Sequence, residues 1–236
     1  MIIINNPNNP TGAPIPGDVL QGIADFAKKR NIILFSDEVY RPLFHSLPAG
    51  INPPPAATTL GYEKALVTGS MSKAFALAGI RIGWIASWDK SNIEAIAAAR
   101  DYTTISVSKV DDRIARFALS PAVQPNLLKR NSELAAHNLS LVKAFVEKYS
   151  QACHWTLPKA GTTAFIQFKK GGQPVVDTDF CLDLLNKPKV FVVPGSHCFG
   201  NGDDFPGYVR MGYVCETDVL EQGLQALGKY VESHLL

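Results

Sequence analysis

The stretch GSMSKAFALAGIRIGW, residues 69–84, places a single lysine, Lys73, among small and apolar residues. It continues the apolar run ALVTGS, residues 65–70, which is typical of a buried strand. A lysine is costly to bury, so a lysine in packed surroundings indicates a chemical role. Burial favours the neutral form of an amine, which is the nucleophilic form. We therefore expect Lys73 to be a buried, reactive amine.

Short apolar runs alternate with helix-period stretches in the first half of the chain. This alternation predicts an α/β fold around a mostly parallel sheet that is covered on both faces. The predicted strands are residues 1–5, 32–35, 65–70 and 79–87, and the predicted helices are residues 18–30 and 92–120.

The second half of the chain has the pattern of a smaller α+β domain. A long helix is predicted over residues 126–150, and it forms the natural hinge between two lobes. We therefore predict a large domain over residues 1–125 and a small domain over residues 126–236. The later predicted strands are residues 162–169, 190–195 and 207–214, and the later helices are residues 177–186 and 216–234.

The composition is that of an ordinary globular chain. The formal net charge is +2, from 23 basic and 21 acidic residues. No long basic run is present, which argues against a nucleic-acid or membrane-surface role, and no apolar run is long enough to span a bilayer. Small molecules are therefore the expected partners, and the cytoplasm is the expected location.

The cysteines and histidines do not have the spacing of a metal site. No C-x-x-C pair is present, which argues against a zinc site or a disulfide framework. His45 and His197 each lack a partner at ligand spacing, so no metal is expected. Each cysteine is predicted to be a small buried hydrophobe in a reducing compartment. The four are Cys153, Cys181, Cys198 and Cys215.

Polar residues follow three of the predicted strands at their carboxyl ends. Because parallel strands end at one edge of a sheet, this edge is predicted to collect a lysine, a carboxylate, a phenol and an amide. Pyridoxal phosphate needs such a lysine for an imine, an acid for its pyridine nitrogen, and cations and hydroxyls for its phosphate. The candidates are Asn9, Asp37, Tyr40, Ser70, Ser72, Lys73 and Arg81.

Four motifs together resemble the fold-type I pyridoxal-phosphate enzymes, in particular the class I/II aminotransferases of the aspartate/aromatic type. They are NNPNNPTG at 5–12, SDEVY at 36–40, the Lys73 stretch, and YVRMGY at 208–213. The resemblance implies the fold type I architecture, with a mostly parallel large domain and an α+β small domain. It also implies pyridoxal 5′-phosphate as cofactor, an amino acid and a 2-oxo acid as substrates, and a homodimer.

The resemblance assigns a role to each matching residue. Lys73 forms the internal aldimine and moves the proton at the substrate Cα, and Asp37 pairs with the pyridine nitrogen. Asn9 and Tyr40 bond the phenolate oxygen, and Asn9 also contributes to the substrate site. The remaining roles are phosphate binding by Ser70, Ser72 and Arg81, and substrate-carboxylate binding by Arg210.

Structural alternatives remain open for several of these residues. The alternative explanation is packing for Tyr40, an ion pair at the sheet edge for Arg81, and exposure on a strand for Arg210. Ser72 is explained by capping of a helix that begins at Lys73.

The motifs leave the reaction open. A carbon–sulfur lyase or an aminocyclopropane-carboxylate-synthase-like enzyme uses the same lysine.

Family members have a sizeable segment before the Asn-Pro motif, with a glycine-rich phosphate turn and a ring-stacking aromatic residue. Their absence here predicts an exposed apolar sheet edge and face, weak cofactor binding, and a third alternative: an inactive fragment or a non-catalytic partner subunit.

Overall fold

The structure, a computed structural model, describes residues 1–236 except for the side chain of Cys198. The chain divides into two compact units. The first comprises residues 1–9, 13–133 and 159–161, and the second comprises residues 10–12, 134–158 and 162–236. The main division therefore lies within the long helix, whereas the sequence places the boundary at its start.

The first unit is an α/β unit. Its elements are β1 (Ile2–Asn5), α1 (Gly17–Arg30), β2 (Leu34–Asp37), a 3₁₀ turn (Ala57–Thr59), β3 (Ala65–Ser70), a second 3₁₀ turn (Ala78–Ile80), β4 (Gly83–Ser87), α2 (Lys90–Arg100) and α3 (Lys109–Ala118). Helix α4 (Gln124–Lys148) begins in this unit and continues into the second.

The sheet of the first unit has the order β1-β2-β3-β4. Strands β1, β2 and β3 are parallel, and β4 runs antiparallel to β3. Helix α1 covers one face, where its buried Leu20, Ala24 and Ala27 form its apolar stripe. It ends at Asn31, which adopts the left-handed conformation at φ 54° that terminates many helices.

The core of the first unit lies between α1 and this face of the sheet. Part of the sheet's remaining apolar surface is open: Ile3 in β1 is 65% exposed and Ile85 in β4 is 41% exposed. This matches the predicted exposure of an apolar sheet surface. The core consists of Ala24, Ala27, Leu34, Ala57, Tyr62, Ala65 and Val67.

The second unit is an α+β unit with its own core. Its sheet has the order β5-β6-β9-β8, and β7 pairs with β6. All of these pairs are antiparallel. The elements are β5 (Cys153–Trp155), β6 (Thr163–Lys170), β7 (Gln173–Pro174), α5 (Asp177–Asn186), β8 (Val193–Pro194), α6 (Gly195–Cys198), β9 (Tyr208–Gly212) and α7 (Thr217–His234).

The fold class is confirmed, and several element predictions need correction. Residues 79–87 do not form one strand, because a 3₁₀ turn precedes β4. Residues 92–120 form two helices, because Ile105 has a left-handed φ of 58° between them. Residues 190–195 contribute only the two-residue strand β8. In the first two cases a local backbone turn interrupts the predicted element.

The cysteine prediction holds in part. Cys153 and Cys181 are buried, whereas Cys215 is exposed in the loop between β9 and α7. The prediction for Cys198 lies outside the described residues. In the described part of the chain, no helix combines the length and hydropathy that a bilayer crossing requires.

Candidate active site

The parallel strands bring several predicted site residues of the first unit to one edge of the sheet. Asn5, Asp37 and Thr68 are register partners on β1, β2 and β3. Asp37 is the last residue of β2, and Ser70 is the last residue of β3. The chain segments after these strand ends carry the amide, phenol and amine that the sequence singled out.

The Asp37 carboxylate is held by two donors. Thr68 Oγ1 donates to Asp37 Oδ1 at 2.9 Å, and the Val39 backbone N–H donates to the same oxygen at 3.3 Å. Among the described residues, no hydrogen bond to Asp37 Oδ2 is found, so this oxygen is available to a further donor. A carboxylate oriented in this way suits an N–H donor from a bound ring.

Lys73 lies beside the Tyr40 ring, with its Nζ 5.7 Å from the ring centroid. Tyr40 is 4% exposed, so its ring is packed within the protein. The expectation that Lys73 is buried is wrong in this structure, because its side chain is exposed to solvent. The physical reason is local: the residues around Lys73 form turns at the end of β3, and the amine extends over the ring without being covered.

The turn that carries Lys73 is fixed from both sides. Leu77 N donates to Met71 O at 2.9 Å, which closes the turn. The side-chain amide of Asn131 donates to Ala74 O at 2.9 Å and is itself buried. Residues 71–75 form no helix, so the alternative of a helix cap at Ser72 is wrong. The sequence did not single out Asn131, whose carbonyl partner is distant along the chain.

Three predicted phosphate-binding residues line one cavity of the first unit. Ser70, Ser72 and Arg81 all border this cavity, which has a volume of about 710 Å³. Ser70 Oγ accepts a hydrogen bond from Ser72 N at 3.0 Å. Arg81 has a left-handed φ of 53° and donates from Nη1 to Ala78 O at 2.9 Å. Arg100 also lines the cavity, and it supplies a second guanidinium that the sequence did not single out.

The remaining two predicted residues, Asn9 and Arg210, each contact neighbours within their own unit. The Asn9 backbone N–H donates to Asn5 Oδ1 at 2.6 Å, which folds the loop after β1 back onto the strand end. Arg210 lies in β9 of the second unit, with its guanidinium carbon 5.8 Å from the centroid of the Phe199 ring. Its carboxylate-binding role stays a prediction.

A buried ion pair stabilises the loop that follows β2. Glu38 is 3% exposed, and its carboxylate accepts from Arg41 Nε at 2.8 Å and from Ala57 N at 2.8 Å. Arg41 Nη2 also donates to Pro54 O at 2.7 Å. Sequence analysis did not single out this pair, although Glu38 lies within the SDEVY motif and Arg41 follows it directly. It fixes the loop in which Tyr40 lies.

The donor set fits pyridoxal phosphate in its chemistry. A carboxylate with one open oxygen, a buried phenol and an accessible amine belong to the same unit. Two serine hydroxyls and a guanidinium line one cavity there, which is the donor set that a phosphate group requires.

Comparison with known proteins gives a consistent result. The family model described as "Aminotransferase class I and II" matches residues 1–227. Capreomycidine synthase from Streptomyces vinaceus is 29% identical over 237 residues, which cover 99% of this chain and 56% of that protein. Aspartate aminotransferase from Thermotoga maritima is 27% identical over 244 residues, which cover 98% of this chain and 56% of that protein.

A solved structure supports the same relationship. A PLP-dependent aminotransferase from Streptococcus suis superposes with a TM-score of 0.86 at 33% sequence identity. The match covers 99% of this chain and 57% of the other. This chain therefore spans a little over half the length of the relatives it matches.

Proposed function

Because the chain belongs to the class I and II aminotransferase family, we propose that it acts in a pyridoxal-phosphate-dependent aminotransferase, with Lys73 as the cofactor-binding lysine. The substrates are an amino acid and a 2-oxo acid. One observation carries the proposal: Lys73 Nζ lies over the ring of Tyr40, in the unit in which Thr68 orients the Asp37 carboxylate.

The residues have distinct tasks in this proposal. Pyridoxal phosphate, when bound, supplies an electron sink for the charge that develops at the substrate Cα. Asp37 accepts a hydrogen bond from the protonated pyridine nitrogen through its Oδ2. Lys73 removes and returns the proton at the substrate Cα, a role that requires its amine to lie within hydrogen-bonding reach of that proton. The phosphate is bound by Ser70, Ser72 and Arg81.

The other assigned roles extend the proposal. The Tyr40 phenol and the Asn9 amide bond the cofactor's phenolate oxygen, and Asn9 also contacts substrate. Arg210 binds the substrate carboxylate in two hydrogen bonds, which a planar guanidinium supports better than an ammonium. A homodimer in the cytoplasm is part of the same proposal.

A second candidate function is a synthase or lyase reaction at the same residues. It is favoured by the 29% identity to a protein named capreomycidine synthase. The lysine and the carboxylate have the same tasks in both reactions, because the products differ only in what leaves and where the proton is returned.

A third candidate is a non-catalytic subunit or a fragment. The chain covers 56% of the length of the relatives described above, and the apolar Ile3 and Ile85 of its sheet are exposed. Apolar sheet surface is ordinarily covered in α/β proteins. The third candidate therefore requires a further polypeptide that covers this surface.

Isotope transfer separates the three candidates. The purified chain is incubated with pyridoxal phosphate, a panel of ¹⁵N-labelled amino acids and a panel of 2-oxo acids, and the products are identified by mass spectrometry. Label in a new amino acid supports the aminotransferase, and labelled ammonia or a rearranged product supports the second candidate. Folded protein without any product overturns catalysis by this chain alone.

The control is a matched pair of lysine variants. Lys73→Ala abolishes the product in either catalytic case. Lys64→Ala removes a half-buried lysine of the same unit, whose Nζ donates to Asn31 Oδ1 at 2.7 Å, and leaves the product unchanged. Equal loss in both variants contradicts the assigned role of Lys73.

A further inference from the structure

His45 has both ring nitrogens engaged within the first unit. Its Nε2 lies 3.1 Å from Gly161 O, and its Nδ1 lies 2.9 Å from Ser46 Oγ. A carbonyl oxygen only accepts, so Nε2 carries the proton and Nδ1 accepts from the Ser46 hydroxyl. Burial lowers the pKa of His45 to about 4, so the neutral ring that this arrangement requires is present at neutral pH.

Three polar contacts join two distant parts of the chain around His45. Besides the ring contact, Gly161 N donates to Leu43 O at 3.0 Å, and Ser46 N donates to Lys159 O at 3.1 Å. We call the set Leu43, His45, Ser46, Lys159 and Gly161 the His45 clasp. It holds residues 159–161 against the loop after β2, and both belong to the first unit.

The clasp lies next to the Tyr40 ring through Gly161. A Cβ atom added to Gly161 would lie 3.6 Å from Tyr40 Cδ1, so the Cα of Gly161 faces that ring. Gly161 has a φ of +77°, which L side chains rarely adopt. The Leu43 backbone N–H also donates to Tyr40 O at 2.8 Å. The clasp thus contacts both the ring and the backbone of Tyr40.

The Tyr40 ring also lies beside the proposed catalytic amine. Lys73 Nζ lies 5.7 Å from the ring centroid. A ring that packs against a rigid neighbour holds its phenol oxygen at one position. A ring without such packing samples several positions.

We propose that His45 is a positioning residue, which holds the Gly161 carbonyl and thereby fixes the Tyr40 phenol beside Lys73. This inference rests on the proposed function for the use of the phenol. The geometric part, from His45 to Tyr40, is independent of it.

The geometric part is tested in the cofactor-free chain by NMR with ¹³C-labelled tyrosine. Tyr40→Phe identifies the Tyr40 signal. His45→Leu moves or broadens that signal, and His45→Gln restores it, because the glutamine amide reproduces the donor at the position of Nε2. The Tyr62 signal, from a buried ring in the core of the first unit, stays unchanged and reports that this unit is folded.

A milder variant keeps the test decisive if His45→Leu does not fold. Ser46→Ala removes only the partner of Nδ1 and is expected to move the Tyr40 signal in the same direction by a smaller amount. An unchanged Tyr40 signal in a folded His45→Leu or Ser46→Ala chain overturns the proposal.

The functional part is tested by a double-mutant cycle on the pH at which the absorption of the bound cofactor titrates. His45→Leu and Tyr40→Phe each shift this pH in the same direction, His45→Leu by about half a unit or more. In the Tyr40→Phe background, His45→Leu has no further effect. Additive shifts overturn the positioning role. Failure of all variants and the wild type to bind the cofactor overturns the proposed function instead, and the NMR result still decides the geometric part.

Discussion

Thr68 Oγ1 donates a 2.9 Å hydrogen bond to Asp37 Oδ1 across two adjacent parallel strands, in which the two residues are register partners. The bond occupies Oδ1 of the carboxylate and leaves Oδ2 without this donor. Because both residues lie on strands, the sheet fixes the orientation of the carboxylate. Sheet-borne groups are held more precisely than loop-borne groups. The proposed partner of the pyridine nitrogen is therefore oriented by the fold before any cofactor binds.

Replacement of Thr68 by valine is expected to weaken cofactor binding. Valine preserves the shape of threonine but removes the donor to Asp37, and loss of a hydrogen bond to a charged group costs about 1.5–3 kcal/mol. We expect the Kd for pyridoxal phosphate, measured by equilibrium dialysis, to rise by roughly 10-fold or more. Thr59→Val removes a bond to Ala56 O elsewhere and serves as the control. Equal affinity of Thr68→Val and wild type contradicts this role.

Replacement of Arg81 by asparagine is expected to affect phosphate recognition selectively. Asparagine tolerates the left-handed φ of 53° observed at this position, so the change removes the guanidinium with little backbone strain. We expect weaker binding of pyridoxal phosphate and unchanged binding of pyridoxal, which has no phosphate. The exposed Arg113, replaced in the same way, is the control. Equal losses for both ligands would show that Arg81 acts on the ring site.

The stability of the first unit is expected to depend on pH through His45. The pKa of His45 is about 4 in the folded chain against its ordinary value of 6.5, so the unfolded chain holds more protons between these two values. The free energy of unfolding therefore rises with pH across this window, by up to about 1.4 kcal/mol per pH unit. The contribution of His45 is fully present above pH 6.5 and is lost as the pH falls toward 4.

This dependence is measured by urea unfolding followed by tryptophan fluorescence. A Trp155→Phe background leaves Trp84 and Trp88, which both lie in the first unit, as reporters. His45→Gln reduces the slope between pH 4 and 6.5 by the contribution of His45, whereas His154→Gln at an exposed position of β5 leaves the slope unchanged. Parallel curves for wild type and His45→Gln would refute the assignment.

Loss of Arg41 is expected to destabilise the first unit strongly. Arg41→Met leaves the Glu38 carboxylate, whose side chain is 4% exposed, without its cation. Removal of one partner of a buried pair costs about 3–5 kcal/mol. Lys90→Met breaks an exposed pair with Glu94 and is expected to change the free energy of unfolding by less than about 1 kcal/mol. Similar effects of the two variants would contradict a structural role for the Glu38 pair.

The sequence was sufficient where the residue pattern and the backbone agree. The run at 65–70 forms β3 and the stretch at 177–186 forms α5, as predicted. In each case the hydrophobic pattern of the element stops at its flanking residues. The location of the polar residues at one sheet edge follows from parallel pairing, which alternation of strands and helices predicts.

The sequence was insufficient where a single backbone angle or a long-range contact decides. Nothing in the residue types at Arg81 or Ile105 requires their left-handed φ values of 53° and 58°. The exposure of Lys73 depends on what covers it, and covering is a tertiary property. The donor from Thr68 to Asp37 depends on strand register, which the residues of either strand alone do not fix.

The location of the covalently bound cofactor decides whether Lys73 is the cofactor-binding lysine. The chain is incubated with pyridoxal phosphate, reduced with borohydride and digested, and the modified peptide is identified by mass spectrometry. We expect a phosphopyridoxyl group on Lys73 that is absent in Lys73→Ala and retained in Lys64→Ala. Label spread over exposed lysines, with no enrichment at Lys73, would contradict a cofactor site in this chain.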